Sequence, residues 1–181
     1  MHNLLNKKNK SFLVSSATLL LLIIINIVYF YLNLKNYINS SNYAFNELFI
    51  NYQAGLIRRG LLGEIFWIIN KFLSVKPIVF FSYLFLIIHL LQIYLFYKIL
   101  NKFSQSYSIY ILIFLSPALI LFYFYDVNLY FLKDIFVTLT ILFHALILIN
   151  FFDKKENKES YLKKLKYFIL PLLTLTILIH E

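Results

Sequence analysis

The sequence predicts an all-α protein, a polytopic bundle of about five transmembrane helices with an amphipathic helix at the outer membrane surface. Hydrophobic residues make up 61% of the 181 residues, and the mean hydropathy is +0.77. A typical soluble domain is about 45–50% apolar. Several apolar runs approach the roughly 20 residues that a helix needs to cross a bilayer. Only three glycines and three prolines interrupt the chain, which favours long helices.

The apolar runs predict five spans at approximately residues 12–34, 77–97, 108–123, 135–151 and 167–181. The first run follows a basic start, but it is too long for a signal peptide and no small-residue cleavage site follows it. We therefore interpret it as an uncleaved first helix. The last run has just enough residues to span when it reaches the acidic Glu181. This predicts that residues 1–181 are a single membrane domain, the N-terminal part of a longer protein.

The charge pattern predicts the orientation of these spans. The net charge is +9, and the lysines cluster between apolar runs. If the N-terminus is cytoplasmic, eleven of the 17 basic residues fall on the inner side and five of the eight acidic residues on the outer side. This agrees with the positive-inside rule. Membrane lipids, and not nucleic acid, are therefore the expected partners. Without cysteine, the chain has no disulfides or thiolate metal ligands.

One stretch stands apart, "NYQAGLIRRGLLGEIFW" at residues 51–67. It holds all three glycines, both arginines and the only tryptophan. It follows the first span, on the predicted outer side. Read as a helix, residues 59–73 separate into two arcs. The apolar arc holds Leu61, Leu62, Ile65, Phe66, Ile68, Ile69, Phe72 and Leu73, and the opposite arc holds Arg59, Gly60, Gly63, Glu64, Trp67, Asn70 and Lys71. This pattern predicts an amphipathic helix at the membrane interface.

This helix has two interpretations, an interfacial spacer or a phosphate-binding edge. Gly60 and Gly63 on the polar arc would leave an open surface beside Arg59 and Glu64. Glycine costs about 1 kcal/mol in a helix, so a spacer would favour other residues. Arginine is used only here, and its planar fork binds phosphate through two hydrogen bonds. We therefore predict that Arg58, Arg59, Gly60 and Gly63 contact a phosphate group.

The segment "AGLIRRGLLG" resembles one in bacterial polytopic membrane proteins encoded in cell-surface polysaccharide clusters, where a Gly-x-x-Arg-Arg-Gly-x-x-Gly run follows the first span. The later "YFLKDIF" and "ILIHE" agree with it. The architecture of those proteins is similar to GT-C glycosyltransferases, which take a sugar from a polyprenyl-phosphate carrier at the outer face. The resemblance implies the bacterial inner membrane, and a catalytic acid in the first outer loop, Glu47 or Glu64. The paired acids usual there are missing, since "INSSNYAFNEL" has one carboxylate.

Other polar residues lie at the ends or centres of the spans. Lys133 and Asp134 stand at the outer mouth of the fourth span. They are either an interfacial ion pair with a snorkelling lysine, or part of the site. In the site, Lys133 would bind substrate and Asp134 would serve as a base, directly or through a divalent cation. Asn26, His89 and His144 lie mid-span, where hydrogen bonding between helices is the more common role.

These observations leave three functions open. The first is an envelope protein that handles lipid-phosphate-linked sugars at the outer face, as a glycosyltransferase or polymerase of surface glycan. The second is a transporter or flippase component that binds an anionic or lipid-linked substrate without chemistry. The third is a non-catalytic membrane subunit. The sequence itself has no phosphate-cradling Gly-rich loop on the predicted cytoplasmic side, which argues against nucleotide-driven chemistry in this segment.

Overall fold

The computed structural model describes residues 2–36, 43–50, 60–103, 112, 116, 120–125, 127–153 and 157–180, and these contain no strand. The helices are α1 (His2–Asn36), α2 (Tyr43–Asn46), α3 (Leu61–Leu73), α4 (Pro77–Phe103), α5 (Asp134–Phe152), α6 (Lys158–Lys164) and α7 (Leu170–His180). Short 3₁₀ segments cover Glu47–Phe49, Ile120–Phe124 and Val127–Phe131, and a π-helical turn, Leu165–Ile169, joins α6 to α7. The prediction of an all-α bundle is confirmed.

Among the residues that the structure describes, three helices are long and apolar enough to cross a membrane, over Ser15–Lys35, Pro77–Lys102 and Asp134–Phe152. They correspond to the first, second and fourth predicted spans, and the chain is a helical membrane protein. The fifth predicted span is helical too, but its helix begins at Lys158. Most of the predicted third span, 108–123, lies outside the described residues, and its last residues form a 3₁₀ segment.

The helices present apolar side chains outward. On α1, the outward residues include Leu20, Ile24 and Ile27, whereas the polar Thr18 and Asn26 are buried. This is the reverse of a helix on a soluble protein, whose apolar stripe faces the core. It fits a bundle surrounded by hydrocarbon, in which polar groups must find partners inside the protein.

Neighbouring helices α1 and α4 run antiparallel. The Asn26 amide Nδ2 donates to the Leu86 carbonyl over 3.3 Å. One turn further along α1, the rings of Phe30 and Tyr83 lie 5.0 Å apart. As the residue number rises on α1 it falls on α4, so the two helices form an up–down pair.

Helices α4 and α5, in contrast, run parallel. Near their beginnings, the rings of Phe85 and Phe136 lie 6.0 Å apart. At their far ends, the Lys102 ammonium lies 3.6 Å from an Asp153 carboxylate oxygen and donates to the Asn150 side chain. Both helices therefore begin at one end of the bundle and finish at the other.

The continuous helix of α6 and α7 packs antiparallel to α5. Thr140 and Thr176 share a hydrogen bond of 2.9 Å between their hydroxyls. Towards the other end of α5, the rings of Phe151 and Tyr161 stack with centroids 4.7 Å apart. Helix α1 and the α6–α7 helix thus run one way, and α4 and α5 run the other. These relative directions agree with the predicted order of five alternating spans.

The ends of these helices follow local sequence signals. Helix α4 starts at Pro77, whose fixed φ suits a first helical position. Helix α5 carries Asp134 in its first turn, where a carboxylate meets the positive end of the helix dipole. The Asn157 side chain caps α6 by accepting from the Ser160 N–H over 2.8 Å. Helix α3 ends at Leu73, and the next residue, Ser74, has a left-handed φ of 47°.

Candidate functional site

The segment 44–50, helix α3 and the first turns of α4 and α5 meet at one end of the bundle, which we call the cap. Its base is aromatic. The fully buried Phe81 of α4 lies 6.2 Å from Phe45, 5.8 Å from Phe49 and 5.4 Å from Phe66, measured between ring centroids. Such pairs add about 0.5–1.5 kcal/mol each beyond area burial. The polar residues of the cap therefore stand on a well-packed apolar base.

Two of the predicted site residues meet in the cap. The Lys133 ammonium donates a hydrogen bond of 3.1 Å to the backbone carbonyl of Glu47. Lys133 is only 6% exposed, so its ammonium turns into the protein and needs acceptors there. The interpretation of Lys133 as a snorkelling lysine is wrong for this reason. The contact fixes the backbone at Glu47 to the start of α5.

Gly63 of α3 is a packing glycine. A Cβ atom at this position would lie 2.1 Å from the Ile50 carbonyl oxygen and 2.7 Å from its carbon. The expectation of an open surface at Gly63 is therefore wrong, because α3 lays this side of the helix directly on the backbone of Ile50. Gly60 is buried as well, and its carbonyl accepts from the Glu64 N–H over 2.9 Å.

Helix α3, which begins at Leu61, confirms the predicted helix at residues 59–73. Its apolar arc faces two different environments. Leu62 and Phe66 are buried in the cap. Ile65, Ile68 and Phe72 are exposed, Phe72 by 81%. One half of the arc thus packs on protein and the other half is available to lipid. That α3 lies along the membrane plane stays a prediction.

The three candidate carboxylates lie on different elements of the cap. Glu47 begins a 3₁₀ segment, Glu64 lies in the first turn of α3, and Asp134 opens α5. Asp134 is exposed, and Glu47 and Glu64 are partly exposed. The described ranges contain no group of three metal-ligating side chains. The three carboxylates therefore lie at the same end of the bundle. The described residues of the cap do not form a metal site from protein ligands alone.

The predicted phosphate ligands Arg58 and Arg59 lie outside the described residues. Gly60 follows Arg59 directly, and Gly60 is buried in the cap. That these arginines bind phosphate therefore stays a prediction.

Inside the bundle, two of the mid-span polar residues, Asn26 and His89, bond to neighbouring elements as predicted. Asn26 reaches Leu86 on α4, and His89 Nε2 lies 3.1 Å from the Tyr130 carbonyl. Sequence reasoning missed Tyr130, whose hydroxyl donates to Asn26 Oδ1 over 3.1 Å. Burial raises the pKa of Tyr130 above its ordinary value, so the phenol remains a neutral donor. The sequence contains 15 tyrosines, and the feature that could have singled out Tyr130 is its position just before Phe131 and Lys133. His144 is partly exposed.

No family model, curated protein or solved structure matches this chain. The resemblance of "AGLIRRGLLG" to proteins of polysaccharide clusters therefore rests on the quoted residues themselves. Its functional content belongs to the proposal that follows.

Proposed function

We propose that the cap binds the phosphate of a polyprenyl-phosphate-linked sugar at the outer face of the bacterial inner membrane, and that the protein acts in surface glycan assembly as a glycosyltransferase or polymerase. The N-terminus is then cytoplasmic and the cap external. The observation that supports this proposal is the hydrogen bond from Lys133 to the Glu47 backbone, which brings two predicted site residues together at one end of the bundle.

The cap supports a site because its candidate residues come from separate parts of the chain. Glu47 follows α1, Glu64 lies on α3, and Asp134 opens α5. An interfacial spacer needs no such convergence. The apolar half of α3, with Ile68 and Phe72 exposed, gives the prenyl chain of a carrier an apolar surface beside the cap.

The chemistry assigned to the cap is transfer of a glycosyl group. A carboxylate, from Glu47, Glu64 or Asp134, accepts the proton of an acceptor hydroxyl. The hydroxyl oxygen attacks the anomeric carbon, and the bond between that carbon and the phosphate oxygen breaks. The electron pair leaves with the phosphate, whose charge Arg58 and Arg59 stabilise, with or without a divalent cation. Lys133 acts as a positioning residue, since its ammonium holds the Glu47 backbone.

A transporter of an anionic substrate is the second candidate, and the buried polar residues of α4 are the observation in its favour. Ser82, His89 and Gln92 are each at most 1% exposed. They are closely packed, however: His89 alone has the rings of Tyr123, Phe124 and Tyr130 within 5.5 Å. Transport along this face would require those rings to move, whereas glycosyl transfer at the cap does not.

The test compares surface glycan in cells that carry arginine variants at matched membrane levels. Loss of one guanidinium–phosphate contact costs about 1.5–3 kcal/mol, which is roughly a ten- to hundred-fold loss at 1.36 kcal/mol per decade. We expect Arg58→Ala/Arg59→Ala to abolish the glycan and Arg58→Lys/Arg59→Lys to restore part of it, because lysine keeps the charge and loses the fork.

The matched control is Lys71→Ala/Lys76→Ala, which removes two positive charges from the same predicted side at exposed positions. It should leave the glycan unchanged. Normal glycan in the arginine-to-alanine variant would reject the phosphate-binding role. If both double variants lose glycan equally, the effect comes from net charge or topology. Accumulation of intact lipid-linked sugar inside the cell would favour the transporter.

A further inference from the structure

A groove of about 540 Å³ lies along α6 and the π-helical turn that follows it, at the end of the bundle opposite the cap. This volume falls within the roughly 300–1,000 Å³ of small-molecule sites. The residues that line the groove are polar or charged in and just before α6 and aromatic in the π-helical turn. They include Asn157, Ser160, Lys163 and Lys164, followed by Tyr167 and Phe168. The groove therefore has a polar half and an aromatic half.

The packing against α5 gives the depth of the two halves. The Tyr161 ring stacks on Phe151, beside the last residue of α5. The Phe168 ring lies 5.3 Å from Phe143, which is nine residues before the end of α5 at Phe152. At 1.5 Å per residue, that is about 13 Å inside the span. The polar half thus lies near the end of a membrane-spanning helix and the aromatic half lies deeper, which matches the headgroup and the acyl chains of a phospholipid.

The charge of the groove favours an anion. The segment 157–168 contains four lysines and one glutamate. That glutamate, Glu159, also lines the groove, and its carboxylate lies 2.8 Å from the Lys163 ammonium. Both side chains of this pair are largely exposed, by 75% and 67%. Exposed pairs of this kind contribute little, so Lys163 can exchange Glu159 for a phosphate at small cost.

We propose that this groove binds an anionic phospholipid, whose headgroup phosphate contacts Lys163 and Lys164. An acyl chain of the same lipid then lies along Tyr167 and Phe168. Leu170, 55% exposed, extends this apolar surface into α7. Lysine near the membrane surface attracts anionic headgroups, whereas a soluble anion gains nothing from the aromatic half. The site lies at the far end of the bundle from the cap and is independent of the glycan proposal.

The experiment measures lipid binding by fluorescence quenching. Trp67 is the only tryptophan, so Trp67→Phe/Tyr167→Trp places a single fluorophore in the groove. The full chain is reconstituted in phosphatidylcholine bilayers, and part of the lipid is replaced by phosphatidylglycerol or phosphatidylcholine with brominated acyl chains, which quench tryptophan on contact. We expect the groove to prefer phosphatidylglycerol by at least about fivefold, the effect of one lysine near an anionic surface. Equal quenching by the two lipids would overturn the proposal.

Charge variants of the reporter protein separate the groove from the general surface charge. Lys163→Gln/Lys164→Gln should bring the preference close to one. The matched control, Lys98→Gln/Lys158→Gln, removes two charges from exposed positions outside the groove at the same end of the bundle and should keep the preference. Equal losses in the two variants would assign the preference to surface charge and overturn the site. Relief of quenching by inorganic phosphate, but not by chloride at equal ionic strength, would show a site for a soluble anion instead.

Native mass spectrometry of the chain with Trp67 and Tyr167 intact gives the same comparison without a reporter. Released from a mixture of the two lipids, the protein should retain one phosphatidylglycerol in preference to phosphatidylcholine, and Lys163→Gln/Lys164→Gln should lose this preference. This measurement decides the question if the tryptophan variant does not fold. Absence of preferential phosphatidylglycerol retention by the unsubstituted chain would overturn the proposal.

Discussion

Gly63 lies directly on the backbone of Ile50, so closely that a Cβ atom would stand 2.1 Å from the Ile50 carbonyl oxygen. A backbone carbonyl cannot swing aside as a long side chain can. The contact therefore sets how near α3 approaches the segment 44–50, and with it the position of Glu47 and Glu64 in the cap.

The first prediction is that Gly63→Ala destabilises the protein. In an unconstrained helix this change would stabilise by about 1 kcal/mol because alanine has the higher propensity. Here overpacking against Ile50 should reverse the sign and cost about 1–3 kcal/mol. The measurement is the free energy of unfolding in an SDS titration of the purified protein. Ile68→Ala, at an exposed position of the same helix, is the control. A more stable Gly63→Ala protein would contradict the contact.

The second prediction concerns the buried Lys133. Lys133→Met keeps the length of the side chain but removes the donor to the Glu47 carbonyl. Leaving a buried acceptor unpaired costs about 1–3 kcal/mol. We expect a lower free energy of unfolding and faster proteolysis between Tyr43 and Ile50. Lys76→Met, an exposed lysine just before α4, should show neither change. Equal stability of the two variants would mean that Lys133 does not hold the cap.

The third prediction tests the hydrogen bond between Tyr130 and Asn26. Tyr130→Phe removes the hydroxyl and keeps the ring that packs on His89. A double-mutant cycle with Asn26→Ala should give a coupling of about 0.6 kcal/mol, and not above roughly 1.7, as for hydrogen bonds in other membrane bundles. Tyr125→Phe, 82% exposed, should show no coupling with Asn26→Ala. A coupling energy of zero would show that the Tyr130 hydroxyl and the Asn26 side chain are not hydrogen-bonded.

The fourth prediction tests the parallel direction of α4 and α5. The chain has no native cysteine, so paired cysteines can be introduced freely. Lys102→Cys/Asp153→Cys should be joined by a short bifunctional maleimide, because these side chains form an ion pair at the far ends of both helices. The cysteines of Lys76→Cys/Asp153→Cys should not be cross-linked to each other. The opposite pattern would show that the two helices run antiparallel.

The fifth prediction is the absolute orientation, with the N-terminus cytoplasmic. A reporter fused after Lys158 should be cytoplasmic, and one fused near Asn42 should be external, following the excess of lysine on one side. If either reporter gives the reverse result, the cap faces the cytoplasm and cannot act on a carrier at the outer face.

Sequence patterns predicted the features that depend on composition and period. The apolar runs predicted the helices that contain Ser15–Lys35, Pro77–Lys102 and Asp134–Phe152, because bilayer thickness alone sets their length. Asn26 and His89 were predicted to bond between helices, since polar groups in hydrocarbon have few other options.

The features that sequence reasoning missed depend on which segments meet. On an isolated helix, the polar arc at Gly63 looks open. In the structure it is covered, because the backbone of Ile50 packs directly against it. Its position at the end of a span makes Lys133 look like a snorkelling lysine. The hydrogen bond to the Glu47 carbonyl shows instead that it is held inside the protein. Both depend on where the chain between α1 and α3 folds, and that segment has no periodic pattern to read.

The parallel pair α4 and α5 also bears on how the protein is made. Two antiparallel neighbours can associate as soon as the second leaves the ribosome. Phe85 and Phe136 cannot meet until the whole intervening chain has been synthesised and α5 has been inserted from the same side as α4. Such contacts between distant residues form slowly. During that interval, the face of α4 that later receives α5 has lipid or another protein beside it. Substitutions that weaken α5 insertion should therefore lower the yield of the protein more than the stability of the finished molecules.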